Sequence, residues 1–147
     1  MARAAVYPGY GPLSENTVAI AHFRRSGFCF VGPSQDSVER AGDKRRFRSL
    51  AESIDPKAVT PGITMDTSDA HAIADAIARG HAEQRFTFPG RIKAANGGGC
   101  RGQAIIMSPE GVPAAVSKVL AEIVANGWDA GVMFEQNIFQ TTHLEVQ

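Results

Sequence analysis

With 147 residues, 44% of them hydrophobic and 20% charged, the chain suits one modest domain or two small lobes of ordinary globular make-up. Fifteen Lys and Arg balance fifteen Asp and Glu, so no overall field draws it to nucleic acid or to an anionic membrane. Cys29 and Cys100 are too few for a disulfide framework, and the apolar runs at 28–31 and 105–107 are far too short to cross a bilayer. These features point to a cytoplasmic protein with neither nucleic-acid nor membrane partners.

Residues 4–7 read as the end of a strand that meets the turn Pro8-Gly9-Tyr10-Gly11. Ser14 is placed to cap the following helix, whose apolar residues are Val18, Ile20, Ala21 and Phe23 and whose stop is Gly27. Residues 28–31 form a short apolar strand, Ser34 caps a second helix, and Gly42 separates it from a basic third one over about 43–54. Strand, helix, strand, helix is α/β organisation with a parallel sheet. Residues 55–62, with Pro56 and Pro61, are the linker candidate. Thr67 or Ser68 then starts a helix carrying Ala70, Ile73, Ala74 and Ile77 at helical spacing and ending at Gly80. A strand within 85–94 is interrupted at Pro89-Gly90 and ends on Ile92-Lys93-Ala94; residues 104–107 are another. Val112, Val116, Val119, Leu120, Ile123 and Val124 mark an amphipathic helix, and 132–135 and 143–147 are strand-like. Trp128 and the phenylalanines are expected in the core.

The run Asn96-Gly-Gly-Gly-Cys-Arg-Gly102 contains G-x-G-x-x-G through Gly97, Gly99 and Gly102. A dinucleotide fingerprint needs a helix straight after the glycines, so that its amino terminus holds pyrophosphate. A strand follows instead, which makes the run a hairpin whose bare amides can close over phosphates, with Lys93 and Arg101 as cations at hand. A flexible hairpin with two solvated cations satisfies the same spacing. His143, Glu145 and Gln147 share one face of the last strand, about 7 Å between successive members. A solvated face explains them equally, and no further ligand-like spacing supports a metal. Lys44-Arg-Arg-Phe-Arg48 reads as a solvated basic helix face, and Cys100 has no His-based partner that would make it a nucleophile.

Five strings in order lift the nucleotide reading above these alternatives. They are Tyr7-Pro-Gly-Tyr-Gly-Pro-Leu-Ser-Glu-Asn16, Phe30-Val-Gly-Pro-Ser34, Gly42-Asp-Lys44, Ile92-Lys-Ala-Ala-Asn-Gly-Gly-Gly-Cys-Arg-Gly102 and His143-Leu-Glu-Val-Gln147. Together they resemble the biotin carboxylase family over nearly the whole chain. The resemblance implies an α/β, α+β ATP-grasp fold. Residues 1–55 would be the C-terminal part of a Rossmann-like front domain, 56–134 the lid subdomain and 135–147 the start of the large subdomain. It implies ATP-dependent activation of bicarbonate followed by carboxylation of biotin on a carrier. Lys44 and Lys93 match nucleotide-contacting lysines, Gly99 and Cys100 the phosphate-covering loop, Glu135, Gln136, Asn137 and Ile138 the adenine-side segment, and His143 a nucleotide-contacting histidine.

Some positions depart from the family. Tyr7 and Pro12 replace a usual His and aromatic, Asn96 and Cys100 replace loop glycines, and Gln103 stands where an apolar residue is usual. Cys100 therefore either keeps a negative φ or strains the loop, since a left-handed φ costs such a residue about 1–2 kcal/mol. The magnesium-binding glutamates, bicarbonate-binding residues and general base of the family match nothing up to Gln147. The chain accordingly reads as a fragment that binds ATP but is inactive alone. Magnesium is expected only in the complete enzyme, and biotin is its substrate, not attached here. The implied partners are ATP and the rest of a carboxylase complex, namely the biotin carrier and carboxyltransferase. The alternatives are a nucleotide-binding or interaction remnant without catalysis, or part of another ATP-grasp ligase such as a carbamoyl-phosphate synthetase domain.

Overall fold

The computed structural model describes residues 4–97, 99–142 and 144. The chain divides into two compact units, Met1–Ser53 and Ile54–Gln147.

In the first unit, β1 (Ala5–Val6) and β2 (Cys29–Phe30) pair in parallel, Ala5 beside Cys29 and Val6 beside Phe30, across the helix α1 (Thr17–Arg25). The expected parallel pairing is therefore present. The cap of α1 is not Ser14 but Asn16, whose side-chain oxygen accepts from the Ala19 amide at 2.9 Å. Ser14 lies two residues too early and donates its hydroxyl to the Gly11 carbonyl at 2.6 Å, closing the preceding turn. Ile20, Phe30 and Val38 form a small core against which Phe23 packs. Phe28 and Phe47, expected inside, are exposed, because so few elements are available here to cover them.

Helices α2 (Gln35–Gly42) and α3 (Lys44–Ile54) follow, the first capped by Ser34 as expected. Between them Asp43 accepts from the Arg45 amide at 2.8 Å and pairs with the Arg45 guanidinium at 2.6 Å. The basic cluster is thus not a solvated face throughout: Arg45 is held by Asp43, and Arg48 is buried with its Nε 2.9 Å from Glu52.

The Arg45 hydrogen bond, helped by backbone amides, holds the Asp43 carboxyl down from 3.8 to about 2. The ionised form then belongs to the folded state, so its stabilisation is complete above about pH 4 and is lost as pH falls through about 2. Urea midpoints for this transition should fall between about pH 5 and pH 2, and Asp43→Asn should flatten that slope. Equal slopes in variant and parent would refute the assignment.

The second unit is a four-stranded antiparallel sheet, in the order β3 (Gly62–Met65), β6 (Val132–Gln136), β4 (Gly90–Ala94), β5 (Gln103–Ile106). Two helices, α4 (Ala70–Ala82) and α5 (Val112–Asn126), pack against each other and against the strands. Ile73, Ile77, Phe86, Ile92, Ile106, Val116, Val119, Val132 and Phe134 make the core between them. Successive strand residues face opposite sides, so Ile92 buries on the helix side and Arg91 and Lys93 take the other face.

Asp69, not Thr67 or Ser68, caps α4, and its carboxylate accepts from the His71 and Ala72 amides. Gly80 does not end this helix, which runs to Ala82. A Cβ on Gly80 would come within 2.5 Å of the Phe86 ring, so the glycine serves close packing inside the helix. Strand β3 was not expected at all. The segment at 143–147 expected to be a strand lies outside the described residues, apart from Leu144, which is exposed and without regular structure.

Candidate functional site

Strands β4 and β6 run side by side in the middle of the second sheet, with Arg91 opposite Glu135 and Lys93 opposite Met133. Lys93 therefore stands diagonal to Glu135, and its Nζ donates to Glu135 Oε2 at 2.6 Å. The two are 31% and 19% exposed, enough shelter from water for the charges to matter and enough opening for a ligand to reach them. With Thr60, Arg91, Gln136, Asn137 and Ile138 they line a cleft of about 430 Å³.

The segment after Glu135 is held by its backbone. The Gln136 amide donates to the Pro61 carbonyl and the Asn137 amide to the Pro89 carbonyl, both at 2.9 Å. Gln136 also accepts from the Thr87 amide through Oε1 at 2.9 Å, so its side chain braces the strand start. Ile138 is exposed at the rim.

The glycine run joins β4 to β5 as an antiparallel hairpin, as the strand after it requires. Its base is fixed at Gly102, where φ is +67° and the amide donates to Glu122 of α5. Gly99 is in open space at φ +59°. Cys100 is exposed with φ 63°, so of the two outcomes expected for it, the left-handed and strained one holds. Its carbonyl accepts from Gln103 Nε2 at 3.0 Å, and Gln103 Oε1 accepts from Arg91 Nη1 at 3.2 Å. A chain of polar contacts thus links the loop to the sheet face. Arg101 stacks over Trp128, 5.9 Å from the ring centroid.

Of the residues expected at a nucleotide site, Lys93, Glu135, Gln136, Asn137 and Ile138 come together in one cleft, and Gly99 and Cys100 sit in the loop at the end of β4. Lys44 opens α3 in the first unit and is partly buried there. His143 lies outside the described residues. Arg91 was missed, although it stands two residues before Lys93 and strand periodicity alone puts it on the same face. Among the described residues no helix is long and apolar enough to cross a membrane.

Comparison with known proteins identifies the family and the fold. The family model for the biotin carboxylase N-terminal domain matches residues 1–38, and that for the carbamoyl-phosphate synthase L chain ATP-binding domain matches residues 43–147. Biotin carboxylase of Haemophilus influenzae is 31% identical over 97% of this chain and 31% of its own length. The biotin carboxylase–β,γ-ATP complex from Campylobacter jejuni superposes with a TM-score of 0.73 at 26% identity, over 91% of this chain and 28% of that one. The biotin carboxylase domain of Hydrogenobacter thermophilus 2-oxoglutarate carboxylase, solved with MgADP and bicarbonate, gives 0.71 at 25%, over 92% and 28%. The chain spans between about a tenth and a third of the length of the curated relatives it matches. It has an ATP-grasp fold and belongs to the ATP-binding-domain family named for the carbamoyl-phosphate synthase L chain, within which it is of the biotin carboxylase type.

Proposed function

We propose that the cleft between β4 and β6 binds ATP, and that the chain is the ATP-binding portion of a ligase that carboxylates biotin with bicarbonate. The observation that carries this is the Lys93–Glu135 pair at the foot of the glycine hairpin. A partly sheltered ammonium makes charge-assisted hydrogen bonds to phosphate oxygens. The amides around Gly99 and Cys100 can add neutral donors above them, and the braced segment 135–138 offers backbone groups to adenine. On this reading Lys44 and His143 are further nucleotide contacts, residues 56–134 act as the lid, and Glu135 begins the large subdomain.

A carbamoyl-phosphate synthase-type ligase would use the same nucleotide cleft; the biotin carboxylase N-terminal match over residues 1–38 favours the first reading. In the complete enzyme we place magnesium beside the phosphates, biotin on its carrier and a carboxyltransferase as partner, all in the cytoplasm. The described residues do not themselves suit the metal. They contain no group of three or more His, Cys, Asp or Glu able to hold it, and the cleft's carboxylate, Glu135, is engaged by Lys93.

Lys93→Ala should weaken ATP binding by about 1.5–3 kcal/mol through loss of one charge-assisted contact. Calorimetric titration of the chain with ATP checks this, and equal affinities in variant and parent would remove the cleft from consideration.

A further inference from the structure

Arg91 has no role in the phosphate contacts above, yet it occupies the middle of the sheet face. Its register partner across β6 is Glu135, the first residue of the segment proposed to lie along the nucleotide base. Directly opposed residues hold their Cβ atoms about 4.5–5.5 Å apart, so a base laid against 135–138 comes within reach of the guanidinium. Arg91 also lines a second cleft of about 330 Å³, with Gln103, Ala104, Ile105 and Lys118, so it forms the wall between two openings. Gln103 fixes its direction. The amide oxygen takes Arg91 Nη1 at 3.2 Å, and the amide nitrogen is committed to the Cys100 carbonyl at 3.0 Å.

Resting on the nucleotide reading of this cleft, we propose that Arg91, oriented by Gln103, reads the purine, and that the cleft takes guanine nucleotides alongside adenine ones. A guanidinium carries five N–H donors and no acceptor. Guanine presents N7 and O6, two adjacent acceptors that match the fork of an arginine. Adenine presents N7 beside the N6 amino group, so there one arginine donor meets another donor. The backbone carbonyls of the segment 135–138 can accept from the adenine amino group, which keeps ATP as a ligand while Arg91 admits GTP.

The test is titration of the 147-residue chain with ATP, GTP and UTP, repeated on Arg91→Met and Gln103→Met, with circular dichroism confirming that each variant is folded. ATP and GTP should bind within about tenfold of each other, with UTP weaker. Arg91→Met should weaken GTP by about tenfold, with ATP unchanged or tighter. Gln103→Met keeps the guanidinium but frees it, and should produce a smaller loss confined to GTP. If the parent binds ATP but rejects GTP by more than about a hundredfold, the purine reading is wrong while the ATP reading stands. Equal weakening of ATP and GTP in Arg91→Met also overturns it, since Arg91 would then act on phosphates. If the folded chain binds no nucleotide, the ATP reading falls and this inference falls with it.

Discussion

Phe134→Ala should destabilise the second unit by about 3–5 kcal/mol, much of the total stability of a domain this size. The ring is fully buried in β6, 4.7 Å from Phe86 and 5.5 Å from Phe88 between centroids, so truncation removes contacts on several sides at once. The surrounding strands are pinned by ladder hydrogen bonds and cannot collapse into the gap. Because Glu135 is the next residue, ATP affinity should fall together with stability. Urea denaturation followed by far-ultraviolet circular dichroism measures the effect, with Ile105→Ala as control. Ile105 is 55% exposed, and its truncation should change stability by no more than about 0.5 kcal/mol. A Phe134 variant as stable as that control would mean that the core is not centred where the structure puts it.

Gly102→Ala should cost about 2–5 kcal/mol, from two sources that add. The left-handed backbone of a non-glycine residue costs about 1–2 kcal/mol. Overpacking adds about 1–3 kcal/mol, because the new Cβ would sit 2.6 Å from the Trp128 ring and 2.9 Å from the Ala94 Cβ. Trp128 is the only tryptophan, so its fluorescence should shift in the variant even before denaturant is added. Gly99→Ala provides the comparison. It has a similar φ but open space around it, so only the backbone cost of about 1–2 kcal/mol remains. Equal losses in the two variants would show that Trp128 does not pack on Gly102.

The contrast between these glycines shows what the amino-acid sequence can and cannot convey. The run 96–102, followed by a β-prone stretch, is enough to read a hairpin rather than a dinucleotide turn, because the choice depends on local order along the chain. Which glycine is crowded by Trp128 depends on a residue 26 positions away, since 128 − 102 = 26, and only the fold brings the two together. The same holds for Lys93 and Glu135, 42 residues apart yet bonded. Their joint membership of one cleft followed from family resemblance, not from spacing.

Strand β3 escaped notice because it is four residues long and follows Pro61, so its identity comes from pairing with β6 rather than from propensity. The misplaced caps at Ser14 and at Thr67 or Ser68 arose because several good capping residues stand in a row there. Backbone geometry chose Asn16 and Asp69 among them. Gly80 looked like a helix stop because composition cannot distinguish a terminator from a notch cut for a neighbouring ring.

Glu135 holds the ammonium that the proposed ligand would use, so occupancy of this cleft is an exchange of one anionic partner for another. The net gain is a difference between phosphate and carboxylate as partners for Lys93, not the whole strength of either contact. Once released, the carboxylate needs a new partner, because a charge left unpaired in a sheltered cleft is costly. Nucleotide capture and the re-pairing of Glu135 are then thermodynamically linked: a new hydrogen-bond donor for Glu135 favours ATP, and ATP favours that donor.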